Sequence, residues 1–205
     1  MKIALLDYGA GNVTSVERAL RRLGAEPVRA NTAELLRGSQ ALILPGVGHY
    51  STLIRALDER QLRAPLVDAL HRGVPFLGIC LGLQALYEFS EEAPELQGLN
   101  FFRGSVSRLP SDVKLPHMGW NQLSLARPSR LLANISREAF FYFAHSFAVL
   151  DSNGGCVASC RHGADFSAVI EQRNIFAVQF HPEKSGAPGA QLLKNFLDVA
   201  SDSNP

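Results

Sequence analysis

The chain has 205 residues, 46% of them hydrophobic, and its 20 Lys and Arg residues balance 19 Asp and Glu residues. This composition excludes an intrinsically disordered protein, and the balanced charge lacks the clustered basic excess of proteins that bind nucleic acid or anionic membranes. No apolar run approaches the 18 residues of a membrane span. Because of this and of the balanced charge, we expect neither a membrane nor a nucleic-acid partner.

The length fits one domain, and we therefore expect a single domain over residues 1–205. The first residues, MKIALLDYG, have too short an apolar run for a signal peptide and are typical of a first strand. The three cysteines are an odd number in a chain without a secretion signal, which favours reduced thiols and a cytoplasmic location.

The first 90 residues alternate short aliphatic runs with helical periodicity. We predict strands at residues 3–6, 27–30, 41–44 and 74–79, and helices at residues 13–23, 53–62, 65–71 and 81–89. Nearly continuous apolar strands that alternate with helices are typical of a parallel sheet with helices on both faces.

After about residue 95 the predicted segments become shorter and more closely spaced. They cover residues 101–109, 122–126, 140–150, 155–161, 167–172 and 175–180, followed by a helix at 190–199 and a frayed tail from residue 201. We expect these segments to be antiparallel strands added to the sheet. The predicted fold is thus an open, mostly parallel α/β sheet with antiparallel strands in its C-terminal half.

The segment GICLG, from Gly78 to Gly82, is the strongest local signal of chemistry because it lies between a predicted buried strand and a helix. Such a turn holds its central residue on a strained elbow, and the glycines allow close backbone approach. At the start of a helix the thiolate form of Cys80 is favoured, and the Leu81 N–H would point toward an oxyanion. The alternative is a buried core cysteine that merely lies between glycines.

A nucleophilic cysteine needs a base, and the base needs a group that orients it. His181 follows an apolar run, Pro182 would end the strand, and Glu183 is close enough to accept from the ring N–H. Alone, this His-Pro-Glu segment is weak evidence for a site. Joined with the elbow, it predicts a Cys80, His181 and Glu183 set that only the fold can bring together.

The turn PGVG, from Pro45 to Gly48, also follows a predicted buried strand. Because sites gather at the carboxyl ends of parallel strands, this turn would share a sheet edge with Cys80. Its two glycines would allow a backbone N–H to turn toward a carbonyl oxygen as a second oxyanion donor. The alternative is a plain tight turn.

Three segments resemble the class I, or triad, glutamine amidotransferases: residues 45–48, 78–84 and 179–183. Residues 7–12, 116–121, 142–147 and 181–186 narrow the resemblance to the glutaminase subunits of imidazole glycerol phosphate synthases, which belong to histidine biosynthesis. The resemblance extends from residue 3 to about 197. Phe147 departs from the pattern, in which tyrosine is more frequent.

The resemblance implies that Cys80 attacks the side-chain amide of L-glutamine, with His181 as general base and then acid and Glu183 holding its imidazole. The N–H groups of Val47 and Leu81 would form the oxyanion hole. The residues implied to contact glutamine are Gly48, Gln84, Ser146 and Phe147. No metal and no organic cofactor is implied.

The resemblance also implies a heterodimer with a (β/α)₈-barrel cyclase that uses the ammonia to make imidazole glycerol phosphate and aminoimidazole carboxamide ribotide. The residues implied to face this partner are Asn12, Met118, Trp120, Tyr142 and Lys184. Their local alternatives are a helix N-cap for Asn12, core packing for Trp120 and a solvated charge for Lys184.

Other functions stay open. The chain could be the glutaminase of an anthranilate, aminodeoxychorismate or guanylate synthase, although residues 116–121 argue against these. It could be a regulatory subunit without catalysis, although all three triad positions are present. A cysteine hydrolase of similar fold is a further alternative, although it would not need a docking residue such as Lys184.

Four other residues with reactive side chains have less specific interpretations. Cys156 and Cys160 lack the two further ligands of a zinc site and lie in a strand-like run, so packing is favoured over metal binding. We expect a hydrogen-bonded structural role for His145. His117 is compatible with packing or with partner contact.

Overall fold

The computed structural model describes residues 1–9, 12–150 and 155–202. Within these residues the strands are β1 (Ile3–Leu6), β2 (Pro27–Ala30), β3 (Ala41–Gly46), β4 (Phe76–Cys80), β5 (Tyr87–Ser90), β6 (Phe102–Arg108), β7 (His117–Gln122), β8 (Ser124–Leu125), β9 (Phe140–His145), β10 (Phe147–Ala148), β11 (Cys156–His162), β12 (Ala164–Gln172) and β13 (Ile175–Val178). The helices are α1 (Val13–Arg22), α2 (Ala33–Arg37), α3 (Tyr50–Glu59), α4 (Arg63–His71), α5 (Leu81–Gln84) and α6 (Gly186–Asp202), with a 3₁₀ turn at Pro182–Lys184. None of the helices in these described ranges has the length and apolar character that crossing a bilayer requires.

An eight-stranded sheet in the order β2-β1-β3-β4-β13-β12-β11-β8 forms the centre of the fold. The strands from β2 to β13 run parallel, and β12, β11 and β8 continue the sheet in antiparallel register. The predicted fold class is confirmed. One detail is wrong, because β10-β6-β5 and β7-β9 form two smaller sheets instead of joining the main one.

Helices cover both faces of the main sheet because successive residues of its apolar strands point to opposite sides. In β1, Ile3 and Leu5 belong to a core that also contains residues of α1 and α6. Ala4 and Leu6 belong to a second core, which contains residues of α3 and α4. The two cores therefore pack against opposite faces of the sheet and fix the edge where the parallel strands end.

The predicted helix at residues 81–89 is wrong beyond Gln84. The chain there continues into β5, which pairs with β6 in parallel. The Leu86 carbonyl accepts hydrogen bonds from the N–H groups of Phe101 and Phe102 at 2.8 and 3.0 Å. Backbone pairing with a later segment thus overrides the helical spacing of the apolar side chains.

The strand predicted to end at residue 44 is longer than expected. β3 continues through Pro45 and Gly46, which lie opposite Ile79 and Cys80 of β4. The turn that follows therefore begins at Val47, directly beside the end of β4.

Three further elements differ from the prediction. Leu62 precedes α4 instead of ending α3, because Gln61 adopts a φ of 55° that interrupts the helix. β7 lies outside the predicted strands, because Gly119 interrupts the alternation of polar and apolar residues that indicates a strand. α6 extends to Asp202, so residues 201 and 202 are helical and do not belong to a frayed tail as predicted, and residues 203–205 lie outside the described residues.

Three glycines let α5 lie directly against β3 and β4. A Cβ on Gly82 would overlap the Leu44 carbonyl, and a Cβ on Gly78 would lie 2.7 Å from the carbonyl carbon of Gly82. A Cβ on Gly46 would lie 2.5 Å from the Leu81 Cβ. All three separations are below any normal carbon contact, so glycine is required for this close approach.

Gly82→Ala should lower the free energy of unfolding by about 2–3 kcal/mol and Tm by about 5–10 °C, because the new methyl group displaces the Leu44 carbonyl. Thermal unfolding followed by circular dichroism measures this. Gly38→Ala is the matched control, since the nearest atom to its Cβ would be the flexible Lys2 amine at 3.3 Å. Equal Tm values for the two variants would contradict the prediction.

Candidate active site

Cys80 ends β4, and α5 begins at the next residue. Its backbone has φ 55° and ψ −104°, a conformation that L-residues rarely adopt and that costs roughly 1–3 kcal/mol. Cys80 is 4% exposed, and Leu81 is the first residue of α5, so the helix supplies no partner for its N–H. The turn thus presents a thiol and a backbone donor at one point, as the GICLG segment predicts.

His181 comes shortly after β13, the strand that pairs with β4, and it therefore lies beside Cys80. Its Nδ1 is 3.0 Å from Oε1 of Glu183, and the two side chains are 2% and 1% exposed. The Asn12 amide donates to the same carboxylate oxygen at 3.3 Å. The structure thus brings the three predicted residues together and adds Asn12 as a support for the carboxylate.

Backbone contacts hold His181 in place. Its N–H donates to the Tyr142 carbonyl at 2.9 Å, and its own carbonyl accepts from the Ser185 hydroxyl at 2.7 Å. The Tyr142 N–H donates to that same hydroxyl at 3.0 Å. The imidazole is therefore positioned by β9 and by the start of α6 together.

The surroundings of His181 favour its protonated form. Burial lowers the pKa of the imidazole, but hydrogen bonding and charge attraction to Cys80 and Glu183 outweigh burial and raise the pKa of His181 to about 10. Near neutral pH the ring is therefore an imidazolium that bonds Glu183 through one nitrogen and faces Cys80 with the other.

Gln179 contacts Cys80 and is a site residue that was not predicted. Gln179 is fully buried, its Nε2 lies 3.6 Å from Sγ of Cys80, and its Oε1 accepts from Nε2 of Gln84 at 3.2 Å. Nε2 of Gln84 also donates to the Phe147 carbonyl at 2.8 Å. The position of Gln179 in the sequence indicates this contact, because residues two apart in an extended segment share a face and Gln179 precedes His181 by two.

A cavity of about 590 Å³ opens beside Cys80, within the usual size range of small-molecule sites. Its lining includes every residue predicted to contact glutamine or to form the oxyanion hole: Val47, Gly48, Leu81, Gln84, Ser146 and Phe147. Oε1 of Gln84 is buried and has no hydrogen-bond partner among the described residues. The residues that line the cavity therefore include one unpaired buried acceptor.

Three of the residues predicted to face a partner contact one another beside this cavity. The Trp120 and Tyr142 rings meet edge to face at 5.8 Å, and the Lys184 amine lies 5.5 Å from the Tyr142 ring centroid. Trp120 and Met118 are 52% and 64% exposed, which excludes core packing for Trp120. Asn12 occupies the N-cap position of α1, but its side chain makes no cap hydrogen bond and turns to the carboxylate instead.

The two other cysteines lie away from the site. Cys160 packs in the hydrophobic core, and burial raises the pKa of the Cys160 thiol to about 11. Cys156 is half-buried, and its thiol donates to the Ala158 carbonyl at 3.4 Å. Across the described ranges, no cluster of His, Cys, Asp or Glu could hold a metal ion.

The raised pKa of His181 predicts a pH-dependent contribution to stability. Below about pH 6.5 both the folded and the unfolded chain hold this proton, so the contribution is complete. Between about pH 6.5 and 10 only the folded chain retains it, so the stabilisation is lost as the pH rises. The free energy of unfolding of the wild type, relative to His181→Gln, should therefore fall across this range in urea titrations. A difference that does not change with pH would contradict this prediction.

Comparison with known proteins identifies the family. The Glutamine amidotransferase class-I model matches residues 4–200. The Imidazole glycerol phosphate synthase subunit HisH of Methanothermobacter thermautotrophicus is 44% identical over 197 residues, covering 96% of this chain and 98% of the relative. The subunit of the same name from Desulfitobacterium hafniense (strain Y51) is 45% identical, covering 95% and 92%.

A crystal structure of a glutamine amidotransferase has the same fold, with a TM-score of 0.78 at 23% identity over 97% of this chain and 98% of the other. The family model and the sequence relatives both extend over nearly the whole chain. This chain therefore belongs to the class-I glutamine amidotransferases and, within them, to the HisH subunits of imidazole glycerol phosphate synthase.

Proposed function

We propose that this chain hydrolyses L-glutamine to glutamate and ammonia, as the glutaminase subunit of an imidazole glycerol phosphate synthase in histidine biosynthesis. One observation carries the proposal: Cys80 and His181 lie in contact at the wall of an open cavity, and Glu183 holds the His181 imidazole. The name shared by these relatives supports an imidazole glycerol phosphate synthase over the chorismate and guanylate alternatives. The chain would act as one amidotransferase domain over residues 1–205, in the cytoplasm.

In the first half of the reaction, His181 as general base holds the proton of the Cys80 thiol, and the thiolate Sγ attacks the side-chain amide carbon of glutamine. The carbonyl oxygen becomes an oxyanion, which the N–H groups of Val47 and Leu81 stabilise. The His181 imidazolium then protonates the amide nitrogen, the C–N bond breaks, and ammonia leaves. The product is a thioester between Cys80 and the glutamyl group.

In the second half, His181 has given up its proton and acts as a general base. It removes a proton from a water molecule, which attacks the thioester carbon, and the same donors stabilise the second oxyanion. The C–S bond breaks, glutamate leaves, and His181 keeps the proton from the water, so the thiolate and the imidazolium of the starting state are restored. Glu183 keeps the imidazole in one orientation through both halves.

The cavity lining supports glutamine as the substrate. Gln84 lines the cavity, its Oε1 has no hydrogen-bond partner among the described residues, and we propose this oxygen as the acceptor for the ammonium group of the amino acid. Gly48, Ser146 and the Phe147 backbone surround the same space, and they complete the proposed glutamine contacts.

We propose a (β/α)₈-barrel cyclase as the partner. Ammonia released into bulk water would be diluted and protonated to ammonium, which is not a nucleophile. A closed route from the cavity to a second enzyme is therefore favoured. The exposed Met118 and the Trp120, Tyr142 and Lys184 cluster lie beside the cavity and form the proposed contact surface. No metal and no organic cofactor takes part in the proposed steps.

Glutamate release from glutamine should be weak for the isolated chain and stimulated about 10²–10³-fold in the complex with the cyclase and its ribotide ligand. The physical reason is that the second oxyanion donor, Val47, lies on a turn beside Gly48, and one such donor is worth this factor. A coupled glutamate assay measures both rates. Full turnover by the isolated chain would contradict the expected gating.

Cys80→Ala should lower the rate of the complex by about 10⁴-fold or more, because it removes the nucleophile. Cys156→Ser is the matched control and should keep the wild-type rate, since this thiol is remote from the cavity. A complex that stays active with Cys80→Ala would end the proposal.

A glutamine analogue with an electrophilic side chain should add once to the chain, on Cys80. The buried Cys160, with its thiol pKa of about 11, should stay unmodified at pH 7.5. Intact-mass measurement and peptide mapping report the site, and excess glutamine should slow the reaction. An adduct that persists in Cys80→Ala would place the reactive thiol elsewhere.

A further inference from the structure

Two buried histidines lie opposite each other between β7 and β9. His117 and His145 are register partners, and they are 2% and 6% exposed. Nδ1 of His117 lies 3.0 Å from Nε2 of His145. At the outer end, Nε2 of His117 lies 3.0 Å from Oδ1 of Asn121, and at the inner end, Nδ1 of His145 lies 2.9 Å from the Phe147 carbonyl. We call these three hydrogen bonds the histidine row.

The chemistry of the acceptors fixes the direction of the row. A carbonyl only accepts, so Nδ1 of His145 carries the proton. Burial lowers the pKa of His145 to about 3 and also lowers the pKa of His117, so both rings are neutral near pH 7. Nε2 of His145 must then accept from Nδ1 of His117. Nε2 of His117 then has no proton and can only accept, so the Asn121 amide must be turned end for end, with Nδ2 in place of Oδ1 facing the ring.

The inner end of the row belongs to the hydrogen bonds around Cys80. The Phe147 carbonyl that accepts from His145 also accepts from Nε2 of Gln84 at 2.8 Å. The same Gln84 nitrogen donates to Gln179, whose amide nitrogen lies 3.6 Å from the Cys80 sulfur. An unbroken series of contacts therefore connects β7 to the thiol.

Aromatic packing holds the two rings at fixed angles. His117 is stacked between His162 at 4.2 Å and Phe143 at 4.9 Å, with interplanar angles of 13° and 20°. His145 meets the edge of Phe166 at 5.0 Å. His162 bonds the Lys114 carbonyl and takes no part in the row. The rings thus have little freedom to break the row by rotation.

We propose that His117 and His145 are positioning residues for glutamine binding, which hold the Phe147 carbonyl and, through it, Gln84 and Gln179 in the geometry that the substrate requires. This role rests on the proposed glutaminase function. Neither histidine touches the reacting atoms, so they act through the cavity wall. Because Asn121 shares β7 with Met118 and Trp120, the outer end of the row lies on the proposed partner-facing strand.

The kinetic test is His117→Phe in the complex with the cyclase. Phenylalanine keeps the stack on His162 and Phe143 but removes both hydrogen bonds of the ring. We expect the KM for glutamine to rise about three- to tenfold, the effect of losing one buried hydrogen bond, while kcat changes less than threefold.

His162→Phe is the matched control, since it preserves the stack and lies outside the row, and its KM should stay within twofold of the wild type. Equal increases in KM for both variants would show that packing alone matters and would overturn the role. An unchanged KM for His117→Phe in an active complex would overturn it as well. An inactive wild-type complex would instead count against the glutaminase function itself.

A second measurement does not depend on turnover or on a variant. Two-bond ¹H–¹⁵N spectra of the labelled chain report which ring nitrogen carries the proton. We expect both His117 and His145 to carry the proton on Nδ1 near pH 7, and His145 to stay neutral between pH 5.5 and 8, with His162 and His181 as the titratable groups that face the two rings. An Nε2–H form of either ring, or titration of His145 in this range, would overturn the row.

Discussion

The close approach of α5 to β3 is the constraint on which the site depends. Gly82 brings the first turn of α5 against the Leu44 carbonyl, and this contact holds Cys80 in its left-handed conformation. A shift of the helix by the width of a methyl group would move the thiol and the Leu81 N–H together, away from His181. Displacements of about 1 Å in such geometry are enough to cost a large factor in rate.

The second requirement is that the buried charges compensate one another. An isolated imidazolium inside the protein would be strongly unfavourable, but His181 bonds the Glu183 carboxylate on one side and is attracted to the Cys80 sulfur on the other. Asn12 adds a donor to that carboxylate from the first helix, so residues near both ends of the chain meet at one oxygen. Loss of Glu183 or Asn12 would therefore disturb the electrostatics of the base before any direct effect on substrate.

Much of the parallel half of the sheet could be predicted because its strands are short apolar runs separated by helical periods. The site elbow and the His-Pro-Glu segment could also be predicted, since a glycine-flanked cysteine and a strand-end histidine are local patterns. The strand at Tyr87–Ser90 could not be predicted, because it forms only when Leu86 pairs with Phe101. The contact between His117 and His145 likewise depends on two strands 28 residues apart in sequence. Residues whose role comes from such pairings carry no short-range signature.

The carbonyl of Phe147, and not its ring, accepts the two hydrogen bonds that anchor the cavity wall. Every amino acid brings the same carbonyl, so the loss of a phenolic hydroxyl at this position leaves the anchor intact. The Phe147 ring can therefore diverge among relatives under little chemical constraint, provided that it fills the same space. Sequence searches that require tyrosine at this position would discard chains whose cavities are equivalent, whereas the partners of the carbonyl, Gln84 and His145, are the informative positions to match.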